Sequence, residues 1–332
     1  MLFRSDEVGL CGCLADDMGL GKTVQLLAYL AHRRDNGPGG RSLVVAPRSL
    51  VFNWLAEARR FVPGLTAIDF SGSNRWRRLE SAPEDALLVT TYGSLRRDAQ
   101  RFADTTFDVV VLDEAQAIKS SDSQTSRAAK SIRARRRVSL TGTPIENHLG
   151  DLWSQLEFLN PGMLGASSVL ERLGGTRSAE DLLDEGRDLL SRALRPILLR
   201  RTKESVLHDL PPKTEQVLRA PLTGAQRAAY DSLADHYRKE LSLSKREKRR
   251  AEDEGEERPE LNVLAALTRL RQAACHPGLI DKTLIPERSG KLDLVLPMLE
   301  SLVRAGSKAL VFSSFTGLLG LVRTRLETLR VP

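Results

Sequence analysis

The sequence has few cysteines: three in 332 residues, forming neither an even set nor a Cys-x-x-Cys pair. A disulfide framework needs paired cysteines and a structural zinc site needs closely spaced ligand pairs, so the pattern disfavours both. Cys275 and His276 are neighbours, but no second pair accompanies them, and we interpret them as packed or surface residues. We therefore expect a reducing compartment and no structural metal.

Long apolar runs are also missing. Runs such as LLAYLA at 26–31 and DVVVL at 108–112 fall far short of the ~20 residues that a membrane helix requires. The opening MLFRSDEVGL lacks the apolar core of a signal peptide. We therefore expect no membrane partner, and a cytoplasmic protein that can associate with the chromosome.

Acidic residues are outnumbered by basic ones, 43 against 50, which gives a formal net charge of +7. This excess is compatible with an ordinary basic protein and with one that binds a polyanion such as nucleic acid. The length corresponds to about two domains at ~150 residues each. Each half can therefore bury a core of its own.

The first 160 residues alternate short β-branched runs with longer helical patterns, which predicts βαβ units on a parallel sheet covered on both faces. The predicted strands are 10–15, 42–47, 65–70, 86–92, 108–114 and 137–143. The predicted helices are 21–34, 50–61, 93–101, 123–134 and 148–159. The fold class is therefore α/β, a doubly wound parallel sheet whose ligands lie beyond the carboxyl ends of the strands.

After residue 160 the pattern becomes mainly helical, with one extended run at 213–222 and a new strand-helix pattern that opens with KALVFSS at 308–314. The predicted helices of this part are 178–195, 223–250 and 261–275. We predict three parts: 1–160, a helical part at 161–288, and the start of a second parallel-sheet lobe at 289–332. The mixed-charge segment 245–260 is typical of a solvated helix end or insertion, although its basic half could touch phosphate.

The stretch LADDMGLGKTVQ at 14–25 resembles a phosphate-binding loop, GxxxxGK[ST], but has Asp16 where the pattern has its first glycine. A triphosphate site needs inward-facing backbone N–H groups before a helix, and a lysine that reaches the phosphates. Gly19 and Gly21 provide the backbone freedom, Lys22 the charge, and Thr23 a hydroxyl for Mg²⁺. We predict that ATP and Mg²⁺ bind here, along a loop made of Asp17, Met18, Gly19, Leu20, Gly21, Lys22 and Thr23.

A second motif, VVVLDEAQ at 109–116, is an apolar strand that ends in two carboxylates. On the predicted sheet, Asp113 and Glu114 lie at the same carboxyl edge as the phosphate loop. Asp113 can hold Mg²⁺, and Glu114 can orient and deprotonate an attacking water. The alternative, in which both residues only begin a loop, is weakened by the presence of the first motif.

The ordered motifs LADDMGLGKTVQ, LVVAPRSLVFNW, VTTYGSL, VVVLDEAQAIKS, SLTGTPIEN, RPILLRRTKESVLHDLPPKTE and SGKLDLVLPMLESL with SKALVFSSF resemble those of the Swi/Snf (sucrose-non-fermenting) family of helicase-like ATPases of superfamily two. The family's own phosphate loop has aspartate at the position of Asp16. The resemblance spans nearly the whole chain. It implies a RecA-like first lobe, a helical extension and the start of a second RecA-like lobe.

The resemblance also implies roles for individual residues. Lys22, Asp113, Glu114 and Gln116 would be catalytic, with Gln116 helping to sense the γ-phosphate. Double-stranded DNA would be a partner, together with a protein bound to it. The residues matching segments that track the DNA backbone are Pro47, Arg48, Ser49, Thr91, Tyr92, Gly93 and Ser313. Ordinary helix capping is the alternative for the residues at 47–49 and 91–93.

Two further motifs resemble segments that couple the nucleotide state to movement between the lobes. The first comprises Thr141, Gly142 and Thr143, for which a plain strand-to-turn junction is the alternative. The second comprises Arg200 and Arg201, which together with Lys203 match the family's bridge between the lobes, and a charged helix face is the alternative. Trp54 and Trp153 are more typical of core or interface aromatics than of base-stacking residues.

The resemblance is incomplete at both ends. No glutamine precedes the phosphate loop, where the family carries an adenine-recognition motif. The arginine fingers of the second lobe are also not found before Pro332, and such residues contribute about 10³ to 10⁵ in rate in related systems. We therefore expect a DNA-stimulated ATPase and double-stranded DNA translocase in the full-length protein, and slow or absent turnover in this polypeptide. The alternatives are a non-catalytic nucleotide and DNA binding module and an RNA-directed helicase.

Overall fold

The structure is a computed structural model that describes residues 9–37, 39–142, 149–163, 194–207, 213–254, 263–285 and 288–328, with the single positions 192, 209 and 211. These residues belong to two compact units, which divide after residue 212. Each unit is described separately below. The three-part division expected from the sequence stays a prediction.

The first unit is built on one sheet of seven parallel strands. The strands are β1 (Gly12–Leu14), β2 (Ser42–Ala46), β3 (Ala67–Asp69), β4 (Leu87–Thr91), β5 (Thr106–Asp113), β6 (Arg133–Leu140) and β7 (Leu198–Leu199). Their order across the sheet is β3-β4-β2-β5-β6-β1-β7. The α/β class with a doubly wound parallel sheet is thereby confirmed.

In the described part of the first unit, eight helices connect or follow the strands. They are α1 (Lys22–Asn36), α2 (Arg48–Phe61), α3 (Arg75–Glu80), α4 (Tyr92–Arg97), α5 (Ala99–Asp104), α6 (Gln124–Ser131), α7 (Leu149–Leu159) and α8 (Lys203–Val206), with a 3₁₀ turn at Ala115–Ile118. Side chains alternate between the two faces of the sheet, as the period of two requires. Val110 and Leu112 of β5 pack in one apolar cluster, while Val109 and Val111 pack in the other. Both faces of the central strands are therefore covered.

The register of three neighbouring strands sets the geometry of the carboxyl edge. Leu140 of β6 pairs with Leu14 of β1 on one side and with Asp113 of β5 on the other. The three loops that follow these strands therefore leave the sheet at one level. Ala46 of β2 pairs in the same way with Thr91 of β4, so a second pair of loops emerges side by side.

Several boundaries differ from the sequence prediction. Strand β6 begins at Arg133 rather than at 137, because Arg133 to Arg137 pair with β5 from Thr106 to Val110. The predicted helix 93–101 is two helices, α4 and α5, which meet at Asp98. This carboxylate accepts hydrogen bonds from Arg75 Nη2 and Trp76 Nε1, both at 2.5 Å. Strand β7 and the short helices α3 and α8 were not predicted.

The regular elements described in the second unit are all helical. Its helices are α9 (Gly224–Glu254), α10 (Val263–Cys275), α11 (Gly290–Arg304) and α12 (Thr316–Thr328), with 3₁₀ turns at Pro277–Leu279 and Lys282–Leu284. The predicted helices 223–250 and 261–275 thus correspond to α9 and α10, whereas the predicted helix 178–195 lies largely outside the described residues. A small apolar cluster joins α11 and α12 through Leu292, Leu299, Leu318 and Val322.

The predicted strand at 308–314 is wrong for the described structure, because these residues join no sheet. Their apolar side chains are largely exposed: Leu310 is 85% and Phe312 87% accessible to solvent. A strand is stabilised by hydrogen bonds to a neighbour, and the apolar pattern alone does not provide one. Across the described part of the chain, no helix combines the length and apolar character needed to cross a membrane.

Candidate functional site

The loop between β1 and α1 has the backbone geometry of an anion-binding loop. Gly19 and Gly21 have φ angles of 89° and 75°, a region that glycine adopts without steric cost. Gly21 is the residue that precedes the first turn of α1. The N-terminus of this 15-residue helix therefore faces the loop with its unpaired N–H groups and its positive dipole end.

Lys22 lies at the first position of α1, and its side chain turns back across the loop. Its Nζ donates hydrogen bonds to the carbonyl oxygens of Asp16 at 2.7 Å and Asp17 at 3.4 Å. Thr23 follows and is half-buried. The loop therefore places a lysine and a hydroxyl at the helix start, as the sequence predicted.

Asp16, the residue that departs from the general loop pattern, is completely buried. Its carboxylate forms an ion pair with the guanidinium of Arg201, which follows β7. Sequence reasoning treated Asp16 and Arg201 as separate motifs and missed this contact. No local pattern links two residues that are 185 positions apart.

Asp113 ends β5 and is 8% exposed. Its Oδ2 accepts a hydrogen bond from the indole Nε1 of Trp54 at 2.8 Å, and its Oδ1 accepts one from the backbone N–H of Glu114 at 3.0 Å. Burial raises the pKa of Asp113 above its ordinary value. The charge of Glu114 also raises it, whereas the two hydrogen bonds and the nearby charge of Lys22 lower it.

Trp54 therefore has two roles in the structure. It is a core residue, being 1% exposed, and it also orients the Asp113 carboxylate. The sequence interpretation as a core aromatic anticipated the first role and missed the second. The signal available in the sequence was an indole on α2, in the helix that follows the strand next to β5, since a buried indole N–H requires an acceptor.

Glu114 has φ 50° and ψ 58°, and among the described residues it is the only non-glycine residue with a positive φ. Such a conformation is strained and is concentrated at functional sites. Gln116 Nε2 donates to Glu114 Oε2 at 2.8 Å, and Thr141 Oγ1 donates to Gln116 Oε1 at 3.2 Å. Three predicted residues from two motifs therefore form one chain of hydrogen bonds.

The phosphate loop also reaches the residues that follow β6. A Cβ added to Gly142 would lie 3.6 Å from Met18 Cγ, so the methionine side chain packs over this glycine. Thr141 N donates to the carbonyl of Leu14 at 3.2 Å. The predicted coupling residue Gly142 thus lies against Met18 of the phosphate loop, and Thr141 contacts the end of β1, just before that loop. Thr143 lies outside the described residues.

A cleft of about 450 Å³ opens beyond β2, β3 and β4. Five of the predicted DNA-contacting residues line it, but Ser49 is not among its lining residues. Sequence reasoning missed the other polar lining residues. The complete lining is Ala46, Pro47, Arg48, Ser71, Gly72, Thr91, Tyr92, Gly93, Ser94 and Arg97.

Residues at this cleft make structural contacts of their own. Thr91 Oγ1 accepts a hydrogen bond from Ser94 N at 3.1 Å and so caps α4, as the capping alternative anticipated. Tyr92 OH donates to the backbone carbonyl of Asp113 at 2.7 Å. Burial, together with the charges of Asp113 and Glu114, raises the pKa of Tyr92 well above its ordinary value. Tyr92 therefore connects the cleft to the carboxylate motif as a neutral hydroxyl.

Ser313 belongs to the second unit, where its Oγ accepts a hydrogen bond from Phe315 N at 3.0 Å. It lines a cavity of about 350 Å³ together with Arg271, Cys275 and Lys291, among others. Within the described residues, no group of three or more histidine, cysteine, aspartate or glutamate side chains could hold a metal ion.

The residues at the carboxyl edge fit a nucleoside triphosphate with its magnesium ion. The two glycines leave backbone N–H groups free to approach phosphate, and Lys22 supplies the positive charge. Each oxygen of Asp113 accepts one hydrogen bond, which leaves capacity for a metal or a water. Thr23 and Asp113 are the oxygen donors that Mg²⁺ prefers.

The family model for the SNF2-related domain matches residues 1–279. The chain belongs to the SNF2-related family. The resemblance to Swi/Snf ATPases inferred from the motifs is thereby confirmed.

Individual SNF2-related proteins support the same assignment. The chain is 33% identical to YwqA of Bacillus subtilis, which is named as a candidate ATP-dependent helicase/translocase, over 97% of this chain and 35% of that protein. It is 31% identical to the ISWI chromatin-remodelling complex ATPase CHR11 of Arabidopsis thaliana, over 98% of this chain and 31% of that protein. This SNF2-related chain spans about a third of the length of these relatives.

A solved structure of the SWI2/SNF2 ATPase core of Sulfolobus solfataricus in complex with double-stranded DNA is also similar. It matches with a TM-score of 0.59 and 30% identity, over 98% of this chain and 67% of that one. This match confirms the fold expected for an SNF2-related ATPase core. Membership of the family also implies the use of a nucleotide.

Proposed function

We propose that this SNF2-related chain is the ATP-hydrolysing part of a double-stranded DNA translocase that remodels protein–DNA complexes. The observation that carries the proposal is the register of β1, β6 and β5, which brings the Lys22 loop, the Asp113–Glu114 pair and Thr141 to one level. A DNA-bound relative of the same fold supports the choice of DNA.

Glu114 is the general base in this proposal. Its carboxylate is held by Gln116 and its backbone is held in a strained conformation, so it accepts a proton from water in a fixed orientation. Lys22 contributes the positive charge that the phosphate groups require. Mg²⁺, when bound by Thr23 and Asp113, neutralises charge on the phosphates. Gln116 and Thr141 link the base to the segment that follows β6.

The cleft beside β2 and β4 is the proposed DNA contact. Arg48 and Arg97 contribute two cations, while Ser71, Thr91 and Ser94 contribute hydroxyl groups. These groups suit phosphate oxygens, which carry no sequence information. We therefore expect binding that is independent of DNA sequence and weakened by salt.

Hydrolysis is tested by following ATP turnover by the 332-residue chain, with enzyme in excess so that slow chemistry is visible. Reactions are run alone and with duplex DNA, single-stranded DNA or RNA. We expect stimulation by duplex DNA, and a loss of about 10² to 10⁴ in rate with Glu114→Gln while nucleotide binding is kept. Turnover unaffected by Glu114→Gln contradicts the proposal.

Two other results would favour the alternatives. Nucleotide binding without turnover under any condition, both in this chain and in a longer chain that includes arginine fingers, indicates a binding module. Stimulation by RNA in place of duplex DNA indicates an RNA-directed helicase.

The cleft is tested with Arg48→Ala and Arg97→Ala combined. The double variant should lose affinity for duplex DNA and reduce the salt slope of log K by about 2, which is roughly one per lost phosphate contact. Arg59→Ala is the matched control, because Arg59 is exposed near the other end of α2 and outside the cleft. An equal loss in the control would contradict the assignment of the cleft.

A further inference from the structure

Arg201 joins the two ends of the phosphate loop. Its backbone N–H and Nε donate to Asp16 Oδ1 at 3.0 Å and 3.1 Å, and Nη2 donates to Asp16 Oδ2. The same Nη2 donates to Gln25 Oε1 at 2.8 Å. Asp16 precedes the loop and Gln25 follows it on α1. One guanidinium therefore bridges the residue that precedes the loop and the helix that follows it.

The neighbours of Arg201 hold the same loop. Asp17 N donates to the carbonyl of Arg201 at 3.0 Å, and Lys203 N donates to Asp17 Oδ2 at 3.0 Å. The Lys203 side chain lies against Gly19, because a Cβ added there would stand 3.5 Å from Lys203 Cε. These contacts continue the pairing of β7 with β1 beyond the end of the sheet. The loop is thus supported along one side by residues 199–203.

The Asp16–Arg201 pair is unevenly exposed. The Asp16 side chain is 0% and the Arg201 side chain 39% accessible. A buried carboxylate is costly unless it is paired and hydrogen-bonded, so Asp16 depends on Arg201 more than Arg201 depends on Asp16. The Asp16 carbonyl also accepts the hydrogen bond of Lys22 at 2.7 Å. Movement of Asp16 would therefore displace the anchor of the lysine.

We propose that Arg201 is a positioning residue for nucleotide binding, which holds the phosphate loop in its binding conformation by joining Asp16 to Gln25. This inference rests on the proposed function, since it assumes that the loop binds ATP. It also explains the role of Asp16, which occupies the position of the first glycine in the general loop pattern. Asp16→Gly, which restores the general loop pattern, should weaken nucleotide binding rather than strengthen it.

The experiment measures the dissociation constant of a fluorescent ATP analogue with Mg²⁺, using the 332-residue chain. Arg201→Ala should raise the constant about tenfold or more, and Arg201→Lys should recover part of the loss, because lysine keeps the charge but not the bidentate geometry. Arg195→Ala is the matched control, since Arg195 is an exposed arginine six positions earlier. Melting curves of each variant are recorded in parallel.

Asp16→Asn keeps the shape of the side chain and serves if Arg201→Ala does not fold. It should also raise the dissociation constant. Because both substitutions remove the same interaction, the double variant Asp16→Asn/Arg201→Ala should bind the analogue at least as tightly as the weaker-binding single variant. The positioning role is overturned if both single variants bind the analogue with wild-type affinity. It is also overturned if affinity is lost only in variants whose first unit has melted. Either result leaves the proposed function intact. Failure of the wild-type chain to bind the analogue overturns both proposals.

Discussion

Strand β5 and the segment 308–314 each contain an apolar run, but of these two segments only β5 forms a strand. The apolar run is VVVL in β5 and ALVF in the other segment, and each is followed by polar residues. In β5, seven of the eight residues are buried, between neighbours β2 and β6. In the other segment, Leu310 and Phe312 are more than four-fifths exposed and join no described strand. The comparison teaches that an apolar run becomes a strand only where flanking strands satisfy its backbone.

The most direct test of this difference is to replace one leucine by alanine in each of the two segments. Leu112→Ala in β5 removes a fully buried side chain and should lower the free energy of unfolding by about 2–5 kcal/mol. Leu310→Ala should change it by less than ~0.5 kcal/mol. All three tryptophans lie in the first unit, so denaturation followed by tryptophan fluorescence reports Leu112→Ala, and circular dichroism reports Leu310→Ala. Equal effects would contradict the difference in burial.

Trp54→Phe tests how much the hydrogen bond to Asp113 stabilises the carboxyl end of β5. This change removes the hydrogen bond to the buried Asp113 carboxylate, and we expect a loss of about 1.5–3 kcal/mol, the usual cost for a bond to a charged group. It should also raise the pKa of Asp113 further. Chemical denaturation followed by circular dichroism measures the loss. Trp153→Phe, the same replacement in α7, is the control and should cost less.

Asp113→Asn tests the cost of placing a charge at this end of β5. Because burial raises the pKa of Asp113, the folded state holds its proton more tightly than the unfolded state. Stability therefore falls as pH rises from the ordinary aspartate pKa through the raised one. We expect Asp113→Asn to melt at a higher temperature than wild type at pH 7, with the gain shrinking as pH is lowered through that window. A pH-independent difference would contradict this linkage.

The smallest effect on stability is expected for Phe312→Ser, within ~0.5 kcal/mol. It should instead reduce the binding of an apolar dye and concentration-dependent self-association, because an exposed apolar segment with unpaired backbone is a template for another chain. Phe52→Ser is the control. Phe52 is 79% exposed but lies in helix α2, whose backbone is already paired. A similar reduction with Phe52→Ser would show that exposure alone accounts for the association.

The parts of the site that sequence predicted are those with local patterns. The glycines and lysine of the phosphate loop, and the two carboxylates at the end of β5, have fixed spacings that their chemistry demands. The contacts Trp54–Asp113 and Asp16–Arg201 could not be predicted, since they join residues 59 and 185 positions apart. Strand β7 has two residues and therefore no period to detect. The predicted strand at 308–314 was wrong because an apolar pattern indicates the conformation that a segment favours, but not whether a neighbouring strand is present to pair with it.

The position of β1 has a consequence for the order in which the protein is built. This strand lies between β6 and β7, and among the described residues, 12–14 pair with 138–140 and 198–199. During synthesis β1 therefore emerges well before both of the strands with which it pairs. At roughly 5–20 residues per second, about 10–40 s separate the emergence of β1 from that of β7. We expect the segment that carries the phosphate loop to remain accessible to chaperones and proteases throughout that interval, and the nucleotide site to be among the last parts of the first unit to form.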